Sequence, residues 1–594
     1  MSPNVPFSAD PAHISIASDI FFNGFLTSVP HLLQYLENSS YGAHILGYNI
    51  LGPPGDGEWY PAGDYLGPDY SPVNTQHFQS WLQSKYGTDA ALSAAWGFPV
   101  TITTAQVPPP QPGRFPWHGI IGLTSDPVKA FYELPQEQDW VDYSAYTSDL
   151  FSQRILDATQ VLRSQTGGRS LIGLYNGYFL NIPASYTGHL RFDRLMASPN
   201  IDFICAAISG YDRVPGGAGG LDDPIESAIA HGKFWWMEQD QETYLSLQSP
   251  FPPVVQESYV TQNLTETVDV LQRDLASAII HRAGTWWFDI NENGSFNDPN
   301  MWSPMSQYGM PLFTQLYVNP QLYKPDVALV IDLNSITYQK VDQDSVNFQR
   351  GLLRTSLAKA GVTYGVYTLS DFLDGTLPPC KVYMFANLNY VTDSEVASIQ
   401  TRLNNEGATA IWQYAPGFLG PNGADASRVS SLTGIQVTQL DGYGYTNGSG
   451  LMTGYSWGVA QANVLSPRLV VTDPSAEVWG NYRVDGQVST SRKKVGNFES
   501  ILSGEYGFTD AGNWRPDPLR VLLQIAGVHV WSTAGDTVNT DGNLLVIHAA
   551  AAGPDTISLP AGVTATPLAG GPSSTGTLNI NFSRVGQTLW FRLS

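Results

Sequence analysis

Basic residues are scarce in this chain. Only 29 Lys and Arg stand against 52 Asp and Glu, a formal net charge of −23 at pH 7. A surface of that sign repels a phosphate backbone or an anionic bilayer, which argues against nucleic acid and membrane as partners and favours a neutral ligand. Cysteine is nearly absent. Cys205 and Cys380 lie far apart inside apolar runs and read as two buried thiols rather than a disulfide. Two thiols also fall short of a structural zinc cage, which takes about four ligands. No metal and no organic cofactor is expected. Nor does any stretch approach the roughly 18 uninterrupted apolar residues of a membrane span. Met1-Ser2-Pro3-Asn4-Val5-Pro6 has neither the basic start nor the apolar core of a signal peptide. The compartment stays open, although abundant Ser, Thr, Asn and Tyr lean towards a secreted protein.

What is present is aromatic. Sixteen Trp and 30 Tyr bring the aromatic share to 12%, while charged residues make up 14%. The expected surface is polar, largely uncharged and well supplied with flat faces. At 594 residues the chain exceeds one hydrophobic core, so two to four domains are expected.

The first third alternates short apolar runs with helical spacing, as parallel βα units do. Strands are expected at His13–Ser18, His44–Leu51, Leu171–Asn176, Ile201–Ile208, Lys233–Glu238 and Thr285–Asp289. A helix is expected after a Ser28 cap with Pro30 in its first turn, and another from about Tyr143 to Ser164. A third carries Leu264, Val268, Leu271, Leu275 and Ile279 on one stripe. Counting back from Thr285–Asp289 as the eighth strand of a (β/α)8 barrel makes Lys233–Glu238 the seventh and His44–Leu51 the fourth. The barrel is then expected to lack its first two strands.

Two acids close apolar runs. Phe234-Trp235-Trp236-Met237 ends on Glu238, and His44–Leu51 leads into Gly55-Asp56-Gly57-Glu58-Trp59-Tyr60. In such a barrel both fall at the C-terminal ends of strands, where active sites are built. A pair of carboxylates flanked by aromatics is the minimum equipment for glycosidic hydrolysis: one donates a proton and the other attacks or activates water. Trp59, Tyr60 and Trp236 offer apolar faces to a sugar ring. Tyr175 and Asn176 end another strand, Trp117 follows the Pro-rich excursion Gly97–Pro116, and Trp287 and Asp289 end the last strand. All are candidates to line the site. Asp240 and Glu242 are alternative acids should the strand run further. Asp289-Ile290-Asn291-Glu292-Asn293-Gly294 begins like a calcium loop, but its twelfth position is Asn300 rather than a bidentate Glu, so an active-site loop is the preferred reading.

From Pro325 the pattern changes. Asp326–Asp332, Val362–Tyr367, Lys381–Asn387 and Ala408–Tyr414 read as buried strands with helices between, a doubly wound α/β layer. No glycine-rich phosphate fingerprint follows the first of them. After about Gly527 come closely spaced strands: Leu544–Ala550, Thr556–Leu559, Val563–Leu568, Thr577–Phe582 and Thr588–Leu593. These indicate a small antiparallel β domain. The expected domains are 1–320, 321–530 and 531–594.

Several of these segments resemble clan A glycoside hydrolases, particularly the family 42 β-galactosidases. The resemblance rests on Gly47-Tyr48-Asn49 running to Gly57-Glu58-Trp59, on Phe78–Gly87 with Ala91–Gly97, on the Glu238 strand and on Trp286-Trp287-Phe288-Asp289. It implies a catalytic barrel, a flavodoxin-like α/β domain that in the family contributes to trimers, and a small β domain. It further implies a retaining β-glycosidase acting on carbohydrate, with Glu58 as acid/base and Glu238 as nucleophile, and a trimeric or dimeric assembly. Family members usually carry Asn just before the acid/base; here Gly57 precedes Glu58 and Asn49 lies nine positions upstream. Asn49 joins the substrate-binding candidates. The alternative is a noncatalytic carbohydrate-binding or scaffold protein derived from a hydrolase.

Overall fold

The structure is a computed structural model describing residues 15–50, 69–108, 130–177, 179–180, 188–210, 212–221, 223–248, 260–290, 292–318, 321–340, 344–458, 464–509 and 516–594. Its first part is a parallel sheet of five strands: β1 (Gly47–Ile50), β2 (Leu171–Tyr175), β3 (Phe203–Ala207), β4 (Phe234–Gln239) and β5 (Gly284–Trp287), in sequential order. Five of the six expected strands are found. The sixth, His13–Ser18, is not a strand where it is described. Ser15 accepts from the Ala17 amide and hydrogen-bonds Asp69, and Ser18 N–H returns to the Ser15 carbonyl. Short hydroxyl side chains that bond the local backbone favour a turn over an extended strand. Ser18 then caps the helix Asp19–Glu37, ten residues earlier than expected. Ser28 and Pro30 lie inside that helix, and the Ser28 hydroxyl donates back to the Gly24 carbonyl at 2.8 Å.

Side chains alternate across each strand, and the sheet has two unlike faces. The outer face carries Ile50, Ile172, Leu174, Ile204, Ala206, Trp235 and Met237, all buried against helices that include Gln138–Gln165. Each large apolar side chain withdrawn from water there contributes about 1.5–3 kcal/mol. The inner face carries Asn49, Gly173, Tyr175, Phe203, Cys205, Ala207, Trp236, Glu238, Gly284 and Trp286, matched level by level in the strand register. Here glycines receive rings from the neighbouring strand. A Cβ on Gly173 would lie 2.1 Å from the Phe203 ring, and one on Gly284 2.2 Å from the Phe234 ring. Phe203, Trp236, Trp286 and Phe288 then continue as a chain of ring contacts with centroids 5.6–6.0 Å apart. Flat rings laid over glycine fill this face where smaller side chains would leave voids.

A second, mixed sheet has nine strands. Its parallel part comprises β6 (Val327–Ile331), β7 (Tyr364–Thr368), β8 (Val382–Phe385) and β9 (Thr409–Trp412) in the order β7-β6-β8-β9, with Phe498–Ser503 pairing parallel to β9. This is the doubly wound order of flavodoxin-like folds. Antiparallel strands from Thr446–Gly448, Ser456–Trp457, Glu477–Tyr482 and Val488–Val495 extend it, and the sequence reading did not foresee them. C-terminal to it lie antiparallel strands at Leu544–His548, Gly553–Ser558, Thr564–Pro567, Thr577–Phe582 and Thr588–Leu593, close to the expected spans. Cys205 and Cys380 are both buried free thiols, as expected, and burial pushes the Cys380 thiol up to about 12. Among the described residues no helix is long and apolar enough to cross a membrane.

Candidate active site

Glu238 stands one residue before the end of β4, at the C-terminal edge of the parallel sheet and on its inner face. It is 7% exposed. Its Oε2 accepts a hydrogen bond from the Tyr175 hydroxyl. Tyr175 belongs to β2, with β3 between, and β3 offers only Cys205 and Ala207 at the adjoining levels of that face. Those small side chains leave room for the phenol ring to cross.

A buried ion pair flanks the carboxyl. Arg213 Nη1 lies 2.8 Å from Asp240 Oδ1, with the two side chains 3% and 9% exposed, and Arg213 Nη2 donates to the Ile208 carbonyl at 2.9 Å. Asp240, two residues beyond Glu238 and an alternative acid in the sequence reading, is thereby committed to Arg213. Burial pushes Glu238 up to about 7. The Tyr175 hydrogen bond opposes that rise, the Asp240 charge adds to it and the Arg213 charge counters it. Burial, together with the neighbouring Glu238 charge, drives the Tyr175 phenol well above its ordinary range, so it stays a donor.

Buried polar atoms without partners collect at the same edge. They include the carbonyl oxygens of Asn49 on β1 and Asn176 just past β2. Such atoms normally find a partner, and an unpaired one costs about 1–3 kcal/mol. A hydroxyl-bearing ligand is suited to satisfy them. Among the described residues no cluster of three or more His, Cys, Asp or Glu is arranged to hold a metal ion.

The sequence-nominated residues divide as follows. Asn49, Tyr175, Trp236 and Glu238 share the inner face, and Asn176 lies at its edge. Trp287 does not: it lies on the opposite face, packed edge-on against Trp302 with centroids 4.8 Å apart. Trp286 takes the inward position, 6.0 Å from Trp236, with its indole N–H donated to Cys205 Sγ at 3.4 Å. The Asp289 carboxylate accepts the amides of Asn293, Gly294 and Ser295 and so holds its own loop. Glu58, Trp59, Tyr60 and Trp117 lie outside the described residues. Sequence reasoning missed Arg213. The available signal was a basic residue five positions after the apolar run Ile201–Ile208, in a chain with few cations.

No protein-family model and no curated protein sequence matches the chain. Solved structures do. A β-galactosidase from Bacillus circulans sp. alkalophilus superimposes with a TM-score of 0.65 at 15% identity, covering 98% of this chain and 83% of that one. One from the Antarctic haloarchaeon Halorubrum lacusprofundi gives 0.66 at 12% identity, with 98% and 83% covered. A catalytic mutant of a GH42 β-galactosidase from G. stearothermophilus gives 0.64 at 13%, with 98% and 82% covered. The chain has the fold of the family 42 β-galactosidases.

The family 42 fold implies a (β/α) barrel with additional domains, and among the described residues the first part of this chain shows five parallel strands in sequential order. In a fold of this kind the C-terminal ends of the strands carry the chemistry. Glu238, Tyr175 and the unpartnered Asn oxygens all lie at that end.

Proposed function

We propose that the chain is a retaining β-glycosidase of the β-galactosidase kind, acting on a carbohydrate. Glu238 is the nucleophile and Glu58 the acid/base. The observation that carries the proposal is the Glu238 carboxyl itself: buried, at the C-terminal edge of a parallel sheet, held by a phenol donor and bordered by Trp236 and Trp286.

In the first step the Glu238 carboxylate attacks the anomeric carbon while Glu58 gives its proton to the departing glycosidic oxygen. That step yields a glycosyl ester and a free alcohol. In the second, Glu58 takes a proton from water, the water oxygen displaces Glu238, and the sugar leaves with its configuration retained. Tyr175 keeps one Glu238 oxygen oriented, and its hydrogen bond favours the ionised form that attacks. The half-buried indoles beside it supply apolar area for the faces of a pyranose. The neighbouring sheets form separate domains, 321–530 and 531–594, and the α/β domain is the place for contacts in a trimer or dimer.

The test is hydrolysis of aryl β-glycosides, galactosides first, by the full chain and by Glu238→Gln and Glu58→Gln. Loss of at least 1,000-fold in kcat for each variant, with a product of retained configuration in the native enzyme, is expected. Native activity that survives Glu238→Gln overturns the assignment. Sugar binding without turnover identifies a noncatalytic carbohydrate-binding protein instead.

A further inference from the structure

A cavity of about 680 Å³ lies between the helix Leu264–Ile280 and the C-terminal β-sheet. Its floor is fixed by hydrogen bonds, an ion pair and ring stacking. Gln272 Oε1 accepts the Trp590 indole N–H at 2.9 Å, and Asp269 pairs with Arg584 at 2.6 Å. Tyr308 stacks on Trp590 with centroids 5.5 Å apart and planes 11° from parallel. Val268, Ile580 and Leu589 form half-buried apolar walls, and Thr265, Ala569 and Asn579 stand exposed at the mouth.

Hydrogen-bonding capacity is left over inside the cavity and at its mouth. Gln272 is only 8% exposed, and its carbonyl is taken by Trp590. Its amide nitrogen makes no hydrogen bond among the described residues. The hydroxyls of Thr265 and Ser574 and the amide nitrogen of Asn579 are likewise unspent, since Asn579 engages Thr556 through its carbonyl oxygen. The charged pair Asp269–Arg584 cancels itself. Neutral donors and acceptors set between apolar walls suit a neutral, polyhydroxylated ligand, and the volume falls within the ~300–1,000 Å³ range of small-molecule sites.

We propose that this cleft is a second saccharide-binding site, separate from the hydrolytic centre, that takes a neutral oligosaccharide. The helix follows β4 and leads back to the start of β5. Its first turns, which carry Thr265, Val268 and Asp269, therefore lie towards the end of the sheet where Glu238 sits. Saccharide held there raises the local concentration of chain ends near Glu238 without any contact to the reacting bond. None of the lining residues belongs to the Glu238 site, so binding here and hydrolysis there succeed or fail separately.

Calorimetric titration of the full-length Glu238→Gln protein with galactose, lactose and β-1,4-galactotetraose tests the site. It is run alongside Ala569→Trp and Thr265→Trp versions that fill the exposed mouth without touching the floor. Binding of the tetrasaccharide at roughly millimolar affinity, weakened at least tenfold by either Trp, is expected. Both substitutions made in the otherwise native chain should leave aryl glycoside turnover within twofold. Tetrasaccharide binding that neither Trp alters, or absence of binding to any of the three sugars, overturns the proposal. Thermal unfolding of each variant verifies that the fold is intact.

Discussion

Tyr175 reaches Glu238 across an intervening strand. The phenol starts from β2, the carboxyl from β4, and the hydrogen bond between them passes over Cys205 and Ala207 of β3. Replacing Tyr175 with Phe keeps the ring and removes the donor. A hydrogen bond to a charged group is worth about 1.5–3 kcal/mol, so Glu238 should hold its proton about 1–2 pH units higher. The acidic limb of kcat/KM should move up by that amount. Enlarging the crossing point by Ala207→Leu should produce the same displacement with Tyr175 intact.

The pH dependence distinguishes the roles of the acids. Glu238 titrates near 7 in the folded protein, and a nucleophile must be ionised. Activity should therefore rise with pH through about 7. If Glu238 served instead as the proton donor, activity would fall over that interval. A kcat/KM profile between pH 5 and 9 decides between the two.

The same proton affects stability. The folded state keeps the Glu238 proton up to about 7, whereas an ordinary Glu gives it up near 4.5. Between those values the folded state binds more protons than the unfolded one, so Glu238 makes stability fall as pH rises through that window. Glu238→Gln removes the buried charge and should stabilise the protein above pH 7 by on the order of 3 kcal/mol, at 1.36 kcal/mol per pH unit. Denaturant unfolding at pH 5 and pH 8 measures it. The gain should be present at the higher pH and nearly absent at the lower.

Arg213→Gln should be costly, because it strands the buried Asp240 carboxylate. Breaking one side of a buried pair costs about 3–5 kcal/mol. Adding Asp240→Asn should recover most of that loss, and urea midpoints of the two single variants and the double variant give the coupling.

Gly173→Ala and Gly284→Ala should differ although both clash with a ring. Phe203, over Gly173, is 6% exposed and has nowhere to go, while Phe234, over Gly284, is 48% exposed and can swing outward. The first substitution should cost about 1–3 kcal/mol and the second distinctly less. Phe203→Leu should partly rescue Gly173→Ala.

Strands were readable in the sequence wherever an apolar run ended at a break. β2, β3, β4 and the C-terminal strands fall within a few residues of the expected spans for that reason. Two kinds of feature escaped. The first was order set by distant pairing: Phe498–Ser503 becomes a parallel neighbour of β9 only because the intervening 90 or so residues return it there, and no local spacing announces such a return. The second was facing. Trp286 and Trp287 are adjacent and chemically identical, and a one-residue difference in strand phase sends one to Trp236 and the other to Trp302.

By itself the sequence determined the acidic, aromatic character of the protein, the alternation of strands and helices in its first part, and the carboxylate closing the most aromatic strand. Those are local properties, set by side-chain chemistry and by which residues repeat every second or every fourth place. Only the tertiary structure decided that a tyrosine two strands away should hold that carboxylate, that Arg213 should claim Asp240, and that glycines should receive the rings of the next strand. Each of these depends on lateral register between segments tens of residues apart, and register is settled by packing of the whole sheet.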